Sequence, residues 1–303
     1  MFLSLLAGVI AANAMSLWTG YESADGLGHL REGIWILGGT FFLALVSFWD
    51  DRRGLPVMTR FGLHVLAASG LVLGGDMSIR TLTIPGWGIL DLGWASIPVT
   101  VLFMLWMTNL YNFMDGMDGF AGGMTVVGFG LLGYFAWAGH HPLLFGIAIL
   151  QAAAATGFLA HNFPPAKIFM GDVGSISTGF LAGALIVLGC RDALFDLWVP
   201  LVIFSPFILD ATSTLLRRAV RGEKVWKAHR DHFYQRLVLS GWGHRRTVSL
   251  EYAIMVLCGV LAVLYQQVDQ WRLVVLGAWA VTFGALAISV VHIEQRVRGR
   301  KTQ

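Results

Sequence analysis

An all-α, polytopic integral membrane protein is the fold class this sequence predicts, on three observations. Apolar residues fill 56% of the 303 positions and charged residues only 13%, with a mean hydropathy of +0.67. A soluble domain carries about a quarter charged residues. The apolar residues are gathered into runs of roughly 17 to 25, enough for a helix to cross a bilayer and far too long for a barrel strand. The charges are left to the intervals between runs, and they are distributed unevenly.

Ten runs are readable, at 2–18, 33–49, 61–75, 97–113, 119–138, 142–160, 174–190, 196–216, 249–266 and 271–292. No repeat, low-complexity stretch or soluble segment interrupts them, so residues 1–303 are read as a single transmembrane domain. The first run contains Ala12-Asn13-Ala14, which has the form of a signal-peptidase site. A signal peptide needs a basic stretch before its apolar core, and nothing charged precedes this one, so a first span is expected. Cys190 and Cys258 both fall in apolar runs and offer neither a disulfide framework nor zinc-ligand spacing.

Positive charge concentrates in cytoplasmic loops. With the N-terminus inside, the outer loops hold Arg31, Arg80, Arg191 and Arg272, and the inner loops and tail hold the other seventeen of the twenty-one Lys and Arg. A miscounted span would scramble that alternation. Both termini are therefore expected in the cytoplasm.

The inner loops also collect the chemistry. Asp50 and Asp51 stand side by side in "FWDDRRGLP"; "NLYNFMDGMDG" spaces Asn109, Asn112, Asp115 and Asp118 three apart; "FPPAKIFMGDVGS" holds Lys167 and Asp172; "AHRDHFYQRL" holds His229, His232 and Arg236. The outer loops, "AGHHP" and "CRDALFD", are short and predict no comparable cluster. An ionised Asp inside a bilayer costs about 2.5–3.5 kcal/mol on insertion scales, so such residues line polar cavities. Two carboxylates 4 Å apart repel by about 4 kcal/mol at an effective dielectric near 20. A divalent cation relieves that repulsion. Hard oxygen donors without Cys suit Mg²⁺, which takes one or two carboxylates and fills its shell with water and substrate phosphates.

Residues three apart share a helical face but wind by about 60° per step. Asn112 and Asp115 can thus serve one cavity, while Asn109 and Asp118 diverge unless Gly116 and Gly119 break the helix. Asn, Asp and Gly are also ordinary helix-end residues, and Asp50-Asp51 beside Arg52 and Arg53 also fits a solvated loop. Pro164-Pro165 stops a helix, Lys167 offers a point charge for a phosphate, and Asp172 enters the next helix as a catalytic group or a plain cap. His and Arg complement a diphosphate. The surrounding Arg217, Arg218, Arg221, Lys224 and Lys227 read instead as an inner-leaflet lipid surface. Phe233 and Leu237, at i and i+4, give "KAHRDHFYQRL" a short helix with one face to bury. No stacking aromatic pattern argues for nucleic acid.

Taken in order, these segments resemble the polyprenyl-phosphate N-acetylhexosamine-1-phosphate transferases of glycosyltransferase family 4. The family's Asp-Asp pair is matched by Asp50 and Asp51, its Asn-x-x-Asn-x-x-Asp-Gly-x-Asp-Gly stretch by Asn109, Asn112, Asp115 and Asp118, its Phe-x-Gly-Asp-x-Gly-Ser loop by Phe169 to Ser175, and its His-rich loop by His229 to Arg236. The match runs from residue 33 onward, and the last loop looks closer to the O-antigen-initiating branch than to the muramyl-pentapeptide branch.

The resemblance implies transfer of an N-acetylhexosamine-1-phosphate from a UDP-sugar to undecaprenyl (polyprenyl) phosphate, with release of UMP, at the cytoplasmic face of a bacterial inner membrane. Mg²⁺, with Mn²⁺ as the alternative, is expected on Asn112 and Asp172. Asp50, Asp51, Asp115 and Asp118 are the expected catalytic carboxylates, with Asp50 ahead of Asp51 as the group that deprotonates or orients the acceptor. Asn109, Lys167, His229, His232 and Arg236 are expected on the substrates. The partners are UDP-N-acetylhexosamine, polyprenyl phosphate and the lipid bilayer, and a homodimer is compatible with them. Family members usually begin with a further helix and a Pro-, Arg- and Gly-rich cytoplasmic loop; neither precedes residues 2–18 here, so ten spans are expected in place of eleven.

Two other functions were weighed. A cation-coupled transporter would put charge at the bilayer midplane on broken helices, but only Asp210 is a carboxylate set deeper than the first turn of a run. A CDP-alcohol phosphotransferase would need an Asp-Gly-x-x-Ala-Arg motif, and residues 118–123 read "DGFAGG" without the arginine.

Overall fold

The computed structural model describes residues 29–224 and 229–301. The expected first span, Ala12-Asn13-Ala14 and Lys227 lie outside the described residues. Within them the chain is a bundle of long helices, and eight helical stretches are long and apolar enough to cross a membrane.

Helix α1 (Leu30–Arg53) ends at Gly54 and is followed by α2 (Val57–Ser69), whose last turn loosens into a π turn over Gly70–Gly74. Helix α3 (Ser96–Met114) and α4 (Phe120–Ala138) flank the Asn/Asp stretch; α5 (Pro142–Asn162) and α6 (Gly171–Arg191) flank the Pro-Pro loop. The run at 196–216 is split at Phe204 into α7 (Trp198–Ile203) and α8 (Ser205–Val220). Pro206 sits in the first turn of α8, where its missing N–H interrupts no ladder bond. The short α9 (Phe233–Leu237), α10 (Gly243–Gln267) and α11 (Arg272–Lys301) complete the chain. Each run from the second to the tenth therefore coincides with helix, α10 beginning six residues earlier than its apolar stretch.

An antiparallel hairpin of β1 (Thr81–Ile84) and β2 (Gly88–Asp91) interrupts the all-α pattern. Trp87 and Trp94, 91% and 87% exposed, stand there as amphipathic rings suited to a membrane–water boundary.

Helix α6 is the central post, with every residue from Ser175 to Gly189 buried. Small residues make this possible, since without a hydrophobic drive between helices in lipid, close backbone approach supplies the packing. A Cβ on Gly179 would lie 2.5 Å from the Met107 carbonyl oxygen of α3. At the other extreme α11 buries little of its apolar length and faces outward. Because the helices alternate in direction, the ends carrying the Asp and Asn motifs all meet at one end of the bundle.

Candidate active site

The α3–α4 connection places its carboxylates by breaking the helix after Met114. Gly119, at φ +77°, adopts a left-handed conformation that side-chain-bearing residues resist, and its N–H donates to Asn162 Oδ1 (2.9 Å) at the end of α5. The break leaves Asn112 on the last turn of α3 and Asp115 just beyond it.

The start of α6 closes on the same point. Asn112 Nδ2 donates to Asp172 Oδ1 (2.8 Å) and to Ser175 Oγ (3.2 Å). Asp115 accepts a bond from the Gly171 backbone N–H; burial, first of all, and then the nearby Asp172 push its carboxyl up to about 7 against that bond. From the α1–α2 side, Arg60 Nη1 lies 3.0 Å from Asp50 Oδ2 and 3.8 Å from Asp172 Oδ2. Asp51 is exposed and stands in the field of both Asp172 and Asp50. Asp50 and Asp172 thus share one arginine, while Asp51 and Asp115 stand beside them without an ion pair among the described residues. Two residues here were absent from the sequence reading, Arg60 and His64, and Ser175 stood there only as the end of a matched loop. His64 sits one turn along α2 from Arg60, 3% exposed, with neither ring nitrogen hydrogen-bonded. A polar residue at i+4 from a basic one in an apolar run was the available signal for it.

Comparison with known proteins decides what this cluster belongs to. Residues 34–190 match glycosyl transferase family 4. A probable undecaprenyl-phosphate N-acetylglucosaminyl 1-phosphate transferase of Bacillus subtilis (strain 168) is 30% identical over 254 residues, covering 80% of this chain and 71% of the relative. This chain belongs to glycosyl transferase family 4. It is also 32% identical, over 83% of its length and 67% of the relative, to a decaprenyl-phosphate N-acetylglucosaminephosphotransferase of Mycobacterium tuberculosis (strain ATCC 25618 / H37Rv). A phospho-N-acetylmuramoyl-pentapeptide-transferase of Thermosynechococcus vestitus is 29% identical over 82% of the chain and 68% of the relative. The family-4 protein is a multi-pass membrane enzyme, a glycosyl-1-phosphate transferase.

The remaining expected residues of the transferase divide. Asn109 lies one turn back from Asn112 and donates to its own helix at the Leu105 carbonyl (2.7 Å), so its amide does not join the cluster. Asp118 accepts from the Ala166 N–H (3.1 Å) and pairs with His244 Nδ1 (3.2 Å), which ties the Pro-Pro loop to the start of α10. Lys167 is exposed and anchored only by its backbone, donating to the His161 carbonyl.

The histidine loop folds back onto the bundle instead of lying solvated. Its anchor is Asp210 of α8, 7% exposed. Asp210 Oδ1 faces His232 Nδ1 (3.1 Å) and accepts from the Phe233 N–H (2.9 Å), and its Oδ2 accepts from the Tyr234 N–H (3.1 Å). The Thr214 hydroxyl also donates to Oδ1 (3.2 Å), so Asp210 is committed to holding the loop. His232, expected on substrate, is 3% exposed with its Nδ1 held by this carboxylate. Arg236, expected on a diphosphate, instead makes a two-point pair with Glu294 of α11 (2.7 and 2.5 Å). His229 is half-buried, its ring 4.8 Å from that of His232. The buried face of α9 is Tyr234 and Leu237, with Phe233 only partly covered; the Tyr234 hydroxyl donates to the Phe113 carbonyl (3.3 Å), joining the loop to the Asn/Asp stretch. Arg218 is buried between Glu223 and Asp231, so it does not face lipid as expected.

Proposed function

We propose that this transferase moves an N-acetylhexosamine-1-phosphate from a UDP-sugar to polyprenyl phosphate, releasing UMP at the cytoplasmic face of a bacterial inner membrane. The observation that carries the reading is the meeting of Asp172 with Asn112, Asp115 and the Asp50-Asp51 turn, where the Arg60 guanidinium bridges Asp50 and Asp172. Such an excess of hard oxygen donors, with one carboxyl raised to about 7 by burial and then by Asp172, fits a divalent cation brought with a diphosphate. Mg²⁺, or Mn²⁺ on the same donors, would be held by Asp172 with Asn112 or Asp115, and would supply neutralisation of diphosphate charge.

Phosphoryl transfer needs positioning and charge compensation more than covalent machinery. An oxygen of the acceptor phosphate attacks the sugar-bearing phosphorus of the donor; that P–O bond forms as the bond to the UMP oxygen breaks. Asp50 has both oxygens occupied, by the Leu55 N–H (2.6 Å) and by Arg60. Asp51 has no hydrogen bond or ion pair among the described residues, and it is the carboxylate free to orient or deprotonate the acceptor. Arg60 reaches from the acceptor side to Asp172 and serves the phosphates between them. Lys167 and His229, both on loops rimming the cluster, are suited to the nucleotide end.

The test is the reaction itself. Purified full-length protein, given UDP-N-acetylglucosamine, undecaprenyl phosphate and Mg²⁺, should release UMP only when all three are present. UMP release independent of the lipid phosphate, or none with any UDP-N-acetylhexosamine, overturns the reading.

A further inference from the structure

A basic groove lies between α9, the end of α8 and α11. Two adjoining cavities, of about 350 and 490 Å³, are both lined by Arg217 and Arg236. The first is closed on its far side by Ala287, Ile288, Val291 and His292 of α11; the second opens past Arg221, Arg230 and Ser240.

Three features point to a ligand. The guanidinium groups of Arg217 and Arg236 flank the Phe233 ring, 5.7 and 4.9 Å from its centroid, and each keeps one buried N–H without a partner among the described residues, Nε of Arg217 and Nη1 of Arg236. Unpaired buried donors on a charged group are expensive, and an anion between them would satisfy both. The lining of the second cavity carries four arginines against Asp231 and Glu294, a surplus of two positive charges. Burial, together with the like charges of Arg236 and Arg221, pulls the Arg217 guanidinium below its ordinary value. Finally, the groove straddles a polarity boundary. Ile288 of α11 is 72% exposed on the apolar side, and one to two turns further on Glu294 and Gln295 begin the polar end of that helix.

We infer that this groove binds the phosphate headgroup of an anionic glycerophospholipid, with an acyl chain lying along Ile288 and Val291. Arginine forks match phosphate geometry better than a point charge would, and a cationic site at the end of an apolar helix is where anionic lipid gathers. A soluble anion would have no use for the apolar wall. Since Phe233 and Arg236 share α9 with Tyr234, the bound lipid braces the loop that Asp210 anchors.

Native mass spectrometry of the full chain in mild detergent, titrated with phosphatidylglycerol or phosphatidylcholine, tests this. One saturable phosphatidylglycerol is expected, retained in clear preference to phosphatidylcholine. Arg217→Gln should weaken it about tenfold or more, as for one lost charge-assisted contact, whereas Arg217→Lys weakens it less. Arg246→Gln, at an exposed position of α10 outside the groove, should leave it unchanged. If Arg217→Gln does not purify as a single species, the paired rim substitutions Arg221→Gln and Arg230→Gln give the same readout. Equal retention of the two lipids, or wild-type retention in the groove variants, overturns the site. Displacement one for one by undecaprenyl phosphate would make the groove an acceptor site, and displacement by millimolar inorganic phosphate would make it a soluble-anion site. Either result also overturns the inference.

Discussion

The two ends of the bundle use the same residue types to opposite effect. At the end of α1, α3 and α6 that carries the motifs, four aspartates gather where one arginine pairs with only Asp50 and Asp172, and Asp115 is driven up to about 7 by burial and by Asp172. At the other end, where α1 begins and α6 finishes, Arg191 binds Glu32 (3.0 Å) and Asp192 (2.7 Å), and Asp192 also faces His141 Nε2 (3.0 Å). Burial opposes ionisation of Asp192, but His141 and Arg191 outweigh it and hold the carboxyl at about 2. His141 is in turn fixed as the cap of α5, its Nδ1 accepting from the Leu144 N–H (3.2 Å). That acceptor role leaves the proton on Nε2, where it donates to Asp192. Although His29, His141 and Asp192 lie close enough for a metal, the tautomer makes the group a clamp between helices. The lesson is that clustering does not mark function; uncompensated clustering does.

Breaking the uncompensated end should have the largest consequence. Asp172→Asn is expected to reduce turnover by about a hundredfold or more, the scale of removing a main electrostatic contact, while the protein remains folded and membrane-inserted. Activity measured across a Mg²⁺ titration checks this, and near-normal turnover at limiting Mg²⁺ would refute it. Next comes Asp210, a fully paired carboxylate at the same end. Asp210→Asn loosens the loop by removing charge-assisted bonds worth about 1.5–3 kcal/mol each, so turnover should fall roughly ten- to a hundredfold. Limited proteolysis between Arg221 and His232 should accelerate in parallel. A drop in turnover without faster cleavage would make Asp210 more than an anchor.

The paired outer end should behave differently. Asp192→Asn is expected to lower Tm by a few degrees at pH 7 and leave turnover within about twofold, because only a helix clamp is lost. The Asp192 carboxyl is lowered on folding from its ordinary 3.8 to about 2. Its stabilisation is therefore complete above about pH 4 and lost as the pH falls toward 2, so the Tm difference should vanish in acid. Thermal unfolding by dye binding across pH reads this directly. The most diagnostic effect belongs to Asp115. Its folded value is raised, so ionising it destabilises the metal-free protein increasingly from pH 4 to 7. In metal-free buffer Asp115→Asn should raise Tm by a few degrees at pH 8 and by nothing at pH 4, even as it lowers turnover. A fall in Tm at pH 8 would show that Asp115 is compensated after all.

Much of this protein is legible from its sequence because the bilayer restricts the choices so severely. A backbone in lipid must satisfy itself, so each apolar run of sufficient length becomes a helix; hence runs 33–49 to 271–292 coincide with helix. Asn112, Asp115 and Asp172 were readable as one site since alternation of helix direction carries their helix ends to the same end of the bundle. The hairpin at Thr81–Asp91, lying outside the runs, escaped the rule.

Pairing was decided only by the tertiary structure. Asp118, His232 and Arg236 stand in motifs as clearly as Asp172 does, yet Ala166, Asp210 and Glu294 engage them. Those partners come from 22 to 58 residues away in sequence. In the same way "CRDALFD" and "AGHHP" gave no sign of a cluster until α5 and α6 brought His141 to Asp192. A sequence determines which side chains are able to carry charge at a membrane edge. Whether each charge is compensated depends on distances of 3 Å or so between helices, which no local pattern encodes, and it is that compensation which separates a structural carboxylate from a chemical one.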